Sequence, residues 1–322
     1  MPDTFSSAGQ KVICVTGASG FIGSFLVSAF ASSDDVVVRT LRRKASAYQL
    51  QAGVAFSGDL HDPETLVPFL DGADVVIHLA QPSSGSDANK VNLDIIGFAR
   101  ACRLAKVKRL IYISTATVVG KTSEVRVDEE TPCHPANEYE RQKYYSELAL
   151  RSELGNEVDL GILRPTAVFG PHGKNLRKLA STILGSSQWR RGFFRFLHGQ
   201  RRMHLVSVDN VVASIMFLAR CDRPLAGNVF IISDDDNVNN QYQAVDDILG
   251  KVACKKFSVN GKSIPVWLLR VLLVVAGRSQ SNPELRYDCS KIASWGFLRS
   301  ANFERSLESF MCWYMESKGG EK

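Results

Sequence analysis

The chain has 322 residues, 45% hydrophobic and 22% charged, with a formal net charge of +6. That size fits one large α/β domain, or a nucleotide-binding domain with a smaller lobe. Nowhere do 18 apolar residues run together and the start lacks a signal-peptide pattern, so no spanning helix is expected. Seven scattered cysteines with no CxxC pair argue for a reducing, cytoplasmic setting and against a disulfide framework; the six histidines show no metal-ligand spacing, so no metal is expected.

The first element is an apolar strand over 11–16 that closes on glycines in Val-Ile-Cys-Val-Thr-Gly-Ala-Ser-Gly-Phe-Ile-Gly. Gly17 allows a tight turn, Gly20 lets the backbone approach a pyrophosphate, and Gly23 lets helix and strand pack closely. The following helix, 20–32, turns its unpaired N–H groups toward the phosphates. This context predicts a dinucleotide site.

Strands then alternate with helices. Strands are predicted at 36–41, 53–56, 74–79, 109–114 and 159–163, with helices at 63–70, 88–106 and 137–154 between them. Several strands are almost continuously apolar, as when helices cover both faces of a parallel sheet. Right-handed crossovers then give a doubly wound sheet with its ligand crevice at the strands' carboxyl ends.

Beyond Pro165 the alternation weakens. Residues 171–204 are Arg/Gly-rich and loop-prone, while a helix at 209–220 and a strand at 228–232 return to the main sheet. Helices near 240–250, 264–277 and 303–316 should build a smaller C-terminal substrate-binding lobe. The expected domains are a loose tail at 1–10, a nucleotide-binding domain at 11–170 rejoined by 205–233, and a lobe from 171–204 and 234–318. The basic excess gathers at Arg177, Lys178, Arg190, Arg191, Arg195, Arg201 and Arg202. A phosphate-bearing substrate is expected there, with a solvated basic face as the alternative; no stacking platform accompanies the charges to favour nucleic acid. The stretch 264–277, Ile-Pro-Val-Trp-Leu-Leu-Arg-Val-Leu-Leu-Val-Val-Ala-Gly, is too short to span a bilayer. It is expected to be a buried helix, with a membrane-surface or partner contact as the alternative.

Tyr139 and Lys143 fall at i and i+4, so a helix sets them on one face. A nearby ammonium favours the phenolate and lowers the tyrosine from its usual value of about 10. Such a phenol can exchange a proton with an alcohol or sugar oxygen while hydride moves at carbon. Ser114 and Thr115 end the strand 109–114, where a hydroxyl can meet the reacting oxygen.

Together these motifs resemble the extended short-chain dehydrogenase/reductase family, or NAD-dependent epimerase/dehydratase family, in its nucleotide-sugar branch. The resemblance covers nearly the whole chain. It implies a Rossmann-type doubly wound sheet, with Gly17, Ser19, Gly20, Phe21, Ile22 and Gly23 in the cofactor turn. Asp59 and Leu60 are similar to the adenine-contacting pair, and Leu79 and Ala80 lie in the stretch that lines the cofactor ribose. Asn92 is similar to a helix asparagine that stabilises the site. Thr115, Tyr139 and Lys143 match the catalytic set, Lys143 also holding the cofactor. Pro165 and Val168 lie in the loop that meets the nicotinamide. Gln81, Ser114, Thr115, Tyr139, Thr166, Arg201 and Arg202 are then the expected substrate contacts. The chain departs from the family at Val119, where many members have tyrosine, at the loop 81–86, and at Met203, aligned with an arginine that holds the diphosphate. Members often dimerise through the helices that correspond to 88–106 and 137–154.

An acidic residue at the end of the second strand would select NAD. Here Arg42 is aligned with it, Arg43 adjoins it and Arg39 is near, so NADP(H) is preferred, NAD(H) remaining possible. NADPH suits net reduction. Arg201–Ile215 most resembles enzymes of surface-polysaccharide biosynthesis that act at C4 of a UDP-N-acetylhexosamine derivative, and the resemblance with the NADPH preference implies reduction of the C4 keto group of such a nucleotide sugar. The alternatives are a UDP-sugar 4-epimerase with bound NAD, a reductase of a lipophilic carbonyl compound, or a non-catalytic NADP(H)-binding protein.

Overall fold

The computed structural model describes residues 9–43, 53–81, 88–185, 187–257, 263–265, 267–268, 271, 275 and 282–319. Contact clustering divides the chain into two compact units. The first comprises 1–115, 137–164 and 214–230; the second comprises 116–136, 165–213 and 231–322.

In the first unit, β1 (Lys11–Thr16) runs between β2 (Val36–Arg42) and β4 (Val75–His78), with β3 (Val54–Ser57) outside β2. On the other side β5 (Arg109–Ile113) pairs with β4, and β7 (Asp159–Pro165) with β5. These ladders and β1–β2, β1–β4 and β2–β3 are parallel. The strand β10 (Val229–Ile232) completes the seven-stranded sheet beside β7. Val12 to Val15 of β1 are all buried, which is why no polar alternation marks that strand. Strand order reverses between β1 and β4, and the carboxyl ends of these two strands open the crevice that doubly wound sheets use for ligands. Helices α3 (Ala88–Leu104) and α4 (Glu138–Leu154) pack together, and Phe69, Phe98, Leu110 and Leu150 fill the core.

The second unit holds two small parallel ladders, β8 (Ala167–Phe169) with β9 (Leu205–Ser207) and β6 (Arg126–Val127) with β11 (Arg286–Tyr287). Its helices α5 (Arg177–Gly185), α6 (Gln188–His198), α8 (Tyr242–Val252) and Phe303–Gly319 gather around Phe169, Leu205, Leu249 and Phe310.

Two expectations need correction. The stretch 171–204 is largely helical rather than loop, and its arginines are mostly structural. Arg191 and Arg195 are 2% and 5% exposed. Arg191 Nε lies 2.9 Å from Asp246 Oδ1, and Arg195 Nη1 lies 2.5 Å from Asp246 Oδ2 and 2.6 Å from Asp247 Oδ1. Arg177 donates to the Gly173 carbonyl and covers the Trp313 ring. These three guanidiniums hold protein groups, not a phosphate. The apolar stretch 264–277, expected to be buried, lies largely outside the described residues. Among its described positions Ile264 is buried and Leu268 half-buried against it, whereas Trp267, Val271 and Val275 are 68%, 51% and 80% exposed.

Candidate active site

At the end of β1 the chain turns through Gly17 with φ of +72°, and a Cβ there would lie 2.6 Å from the Ala80 backbone nitrogen. No side chain fits that contact. Gly20 heads α1 (Phe21–Ala31) without a side-chain cap, so the first-turn N–H groups meet whatever occupies the turn. Gly23 packs so closely that a Cβ would strike the Gly17 carbonyl. Ser19 and Gly20 are exposed, Phe21 and Ile22 half-buried. This open cradle fits the pyrophosphate of a dinucleotide.

The strand ends are tied together beneath it. Leu79 N donates to the Thr16 carbonyl (3.2 Å), and Ala80 N to Thr16 Oγ1 (3.3 Å). His78 Nδ1 lies 2.9 Å from the same hydroxyl, and the ring packs against those of Phe98 and Tyr112. Burial, helped by the charge of Lys143, pushes the His78 pKa down to about 3.

Arg42 and Arg43 are exposed at the end of β2, and the Arg42 carbonyl accepts from Gly58 N (3.0 Å). Arg39 is engaged elsewhere: it donates to the Asp71 carbonyl at 2.5 Å and covers the Phe56 ring. Asp59 and Leu60 are half-buried, and Asp59 Oδ1 accepts from His61 N (3.0 Å).

The helix α4 starts on a reciprocal cap. Asn137 Oδ1 accepts from Glu140 N at 2.9 Å, and Glu140 Oε2 accepts from Asn137 N at 3.4 Å. This fixes the first turn and hence Tyr139. The tyrosine as a whole is 45% exposed, yet its hydroxyl hydrogen-bonds the side chains of Thr115 and Gln81. Lys143, one turn on, is buried; Nζ donates to the Ile113 carbonyl at 2.7 Å and lies 5.0 Å above the Tyr112 ring.

The electrostatics differ from the sequence expectation. Burial raises the Tyr139 pKa, and the bonds from Gln81 and Thr115, rather than Lys143, oppose that rise. Lys143 is turned toward a carbonyl and a ring face, so its ammonium does not acidify the phenol here. Burial instead lowers Lys143 to about 8, with Glu147 acting the other way.

Ser114, expected to meet substrate, donates a hydrogen bond from its hydroxyl to the buried Glu147. That carboxylate is gripped by Arg164, Nη2 to Oε2 at 2.6 Å and Nε to Oε1 at 3.0 Å. Glu147 follows Lys143 at i+4. The side chain of Asn92 and residues 82–86 of the loop after Gln81 lie outside the described residues.

A profile of the NAD dependent epimerase/dehydratase family matches residues 13–233. The chain belongs to that family. The UDP-glucose 4-epimerase of Vibrio cholerae is 30% identical over 247 residues, 71% of this chain and 72% of that protein. The N-acetyl-α-D-glucosaminyl-diphospho-ditrans,octacis-undecaprenol 4-epimerase of Escherichia coli O157:H7 is 23% identical over 332 residues, covering 92% and 93%. The structure of MoeE5 in complex with UDP-glucose and NAD matches 95% of this chain and 99% of that one with a TM-score of 0.69, at 23% identity, a likeness of fold.

In this family member the second unit carries its own cavity, of about 360 Å³, lined among others by Thr117, Thr166, Arg201, Arg202, His204 and Tyr287. Thr166 is anchored by its N–H to the Ile232 carbonyl (3.0 Å) and by its hydroxyl to Ser233 Oγ (3.2 Å). Val168, in β8, is half-buried, and Pro165 ends β7. Arg202 is buried and donates to the Asp235 carbonyl (2.7 Å). His204 Nδ1 lies 2.7 Å from Asp235 Oδ2, which also accepts from Tyr287 N at 3.0 Å.

The sequence reading missed Glu147, Arg164, His204 and Asp235. The spacing Tyr139, Lys143, Glu147 places the first of these on the helix face shared by Tyr139 and Lys143, and His204 adjoins Met203, already marked as a departure from the family. No local signal ties Arg164 or Asp235 to its partner.

Proposed function

We propose that this chain is an NADP(H)-dependent oxidoreductase that reduces the C4 keto group of a nucleotide sugar, a UDP-N-acetylhexosamine derivative used in surface-polysaccharide biosynthesis. The observation that carries this reading is the end of β2. Exposed Arg42 and Arg43 occupy it where a carboxylate would bind the ribose hydroxyls, and a guanidinium suits a 2′-phosphate. The glycine cradle of Gly17, Ser19, Gly20, Phe21, Ile22 and Gly23 would hold the pyrophosphate. Asp59, Leu60, Leu79, Ala80, Pro165 and Val168 would flank the remainder.

When bound, the dinucleotide supplies or accepts the hydride. Tyr139 gives its proton to the C4 oxygen in the reductive direction, and Thr115 and Gln81 orient both phenol and carbonyl. Lys143 holds a cofactor hydroxyl. Glu147, gripped by Arg164, keeps Lys143 charged. In the second unit Thr166, Arg201 and Arg202 contribute substrate contacts, the two guanidiniums suiting a diphosphate. We place the enzyme in the cytoplasm as a homodimer joined through α3 and α4, whose Leu93, Tyr145 and Leu148 are exposed apolar residues.

A 4-epimerase with retained NAD is the second reading, favoured by the names of the two relatives. The test is to mix purified protein with NADPH and, separately, a UDP-4-keto sugar, UDP-N-acetylglucosamine or a lipophilic ketone. Loss of nicotinamide absorbance with the keto sugar supports the reductase. Conversion of UDP-N-acetylglucosamine without net absorbance change supports the epimerase, and absorbance loss with the lipophilic ketone alone overturns both.

A further inference from the structure

Helix α6 is amphipathic in the reverse sense. Two of its three arginines, Arg191 and Arg195, face inward onto Asp246, while Trp189, Phe193 and Phe196 are 80%, 50% and 48% exposed. Spaced i, i+4 and i+7, these rings share one helix face. Phe196 leads directly to the second exposed stretch: its carbonyl accepts from Ile264 N at 3.0 Å, and Ile264 packs with Leu197 and Leu268. Just beyond, Trp267, Val271 and Val275 are helical, exposed and four residues apart, which stacks them on one side as well.

Along the two stretches of chain that carry these faces the charge is of one sign only, and the exposed carboxylate that meets α6, Asp247, is paired with Arg195. No Asp or Glu occurs between Asp159 and Asp209, nor between Asp247 and Glu284, while those stretches hold nine and six lysines or arginines. Lys178, Arg190, Lys255 and Lys256 are exposed among them. We propose that Trp189, Phe193, Phe196, Trp267, Val271 and Val275 form an interfacial anchor that seats the second unit on an anionic lipid bilayer. Indole and phenyl rings settle at the headgroup level of a membrane, and neighbouring cations are drawn to acidic lipid headgroups. A protein partner would call for hydrogen-bonding groups across the contact; these six side chains offer two indole N–H groups and no acceptor. No helix among the described residues is long and apolar enough to cross a membrane, so the attachment is in the plane of the surface. The same helix α6 ends on the cavity wall at His198.

The test sediments the full-length protein with vesicles of equal parts phosphatidylglycerol and phosphatidylcholine, and with phosphatidylcholine alone. Binding should be about tenfold stronger on the anionic vesicles and weaken with added salt. Combining Trp189→Ser, Phe193→Ser and Trp267→Ser should lower it at least about tenfold, whereas Leu298→Ser, at another exposed apolar side chain, should leave it unchanged. Should the triple variant misfold, brominated phosphatidylglycerol should quench tryptophan emission of the unaltered protein. No vesicle binding, or no quenching, overturns the proposal. So does a triple variant that binds as tightly, or one that only breaks a soluble oligomer into smaller species.

Discussion

Tyr139 is held by three local facts: the Asn137 cap that starts its helix, the Thr115 hydroxyl at the end of β5, and Gln81 after β4. Tyr139→Phe should therefore lower turnover by about 10² to 10⁴-fold, with cofactor affinity, read by fluorescence titration, changed less than about threefold. Lys143 loses its proton near pH 8, whereas Tyr139, raised above its ordinary value, stays protonated there. The reductive rate should thus fall as pH rises through about 8, and a profile flat to pH 10 would mean the ammonium is not needed. His78 gives a stability test of opposite sense. Its folded pKa lies near 3, below the ordinary 6.5, so the folded chain binds fewer protons than the unfolded chain between those values. The corresponding stability is present above pH 6.5 and is lost as pH falls toward 3. His78→Gln should flatten that part of a urea-midpoint-against-pH curve. At the end of β2, Arg42→Asp with Arg43→Ser should move the NADP/NAD preference at least about tenfold toward NAD; an unchanged ratio of kcat/KM values would make these arginines bystanders.

Among the elements, the strands and the long helices of the first unit could be read from the sequence because their burial follows period and apolar run: β1, β4, α3 and α4 lie within two residues of the expected bounds. The helices α5 and α6 could not. Periodicity counts arginine as surface, and in α6 Arg191 and Arg195 are buried while Trp189, Phe193 and Phe196 are exposed beside Arg190. Arg191 and Arg195 are held by Asp246 on α8, a partner 55 residues from Arg191, which no local pattern reveals. Asp246→Ala leaves the buried Arg191 guanidinium without a carboxylate and Arg195 with Asp247 alone, and should cost roughly 3–5 kcal/mol in urea unfolding; a loss under 1 kcal/mol would show that water replaces it.

For the whole molecule, what was legible of the candidate site was what chain neighbours supply: the glycine turn, Tyr139 with Lys143, and the Thr115 hydroxyl after β5. What was not legible depends on pairs far apart in sequence, such as Arg164 on Glu147 and Asp235 on His204. The acidified phenol expected from the spacing also gave way to burial, a quantity that only the folded chain defines. The most direct test of the central claim is the fate of one hydride. The enzyme should be given NADPH deuterated at the transferable position together with a UDP-4-keto sugar, and the product analysed by NMR and mass spectrometry. One deuterium at C4 for each NADP⁺ released is the predicted result. A reduced or epimerised sugar carrying no deuterium, with the NADPH intact, would contradict it.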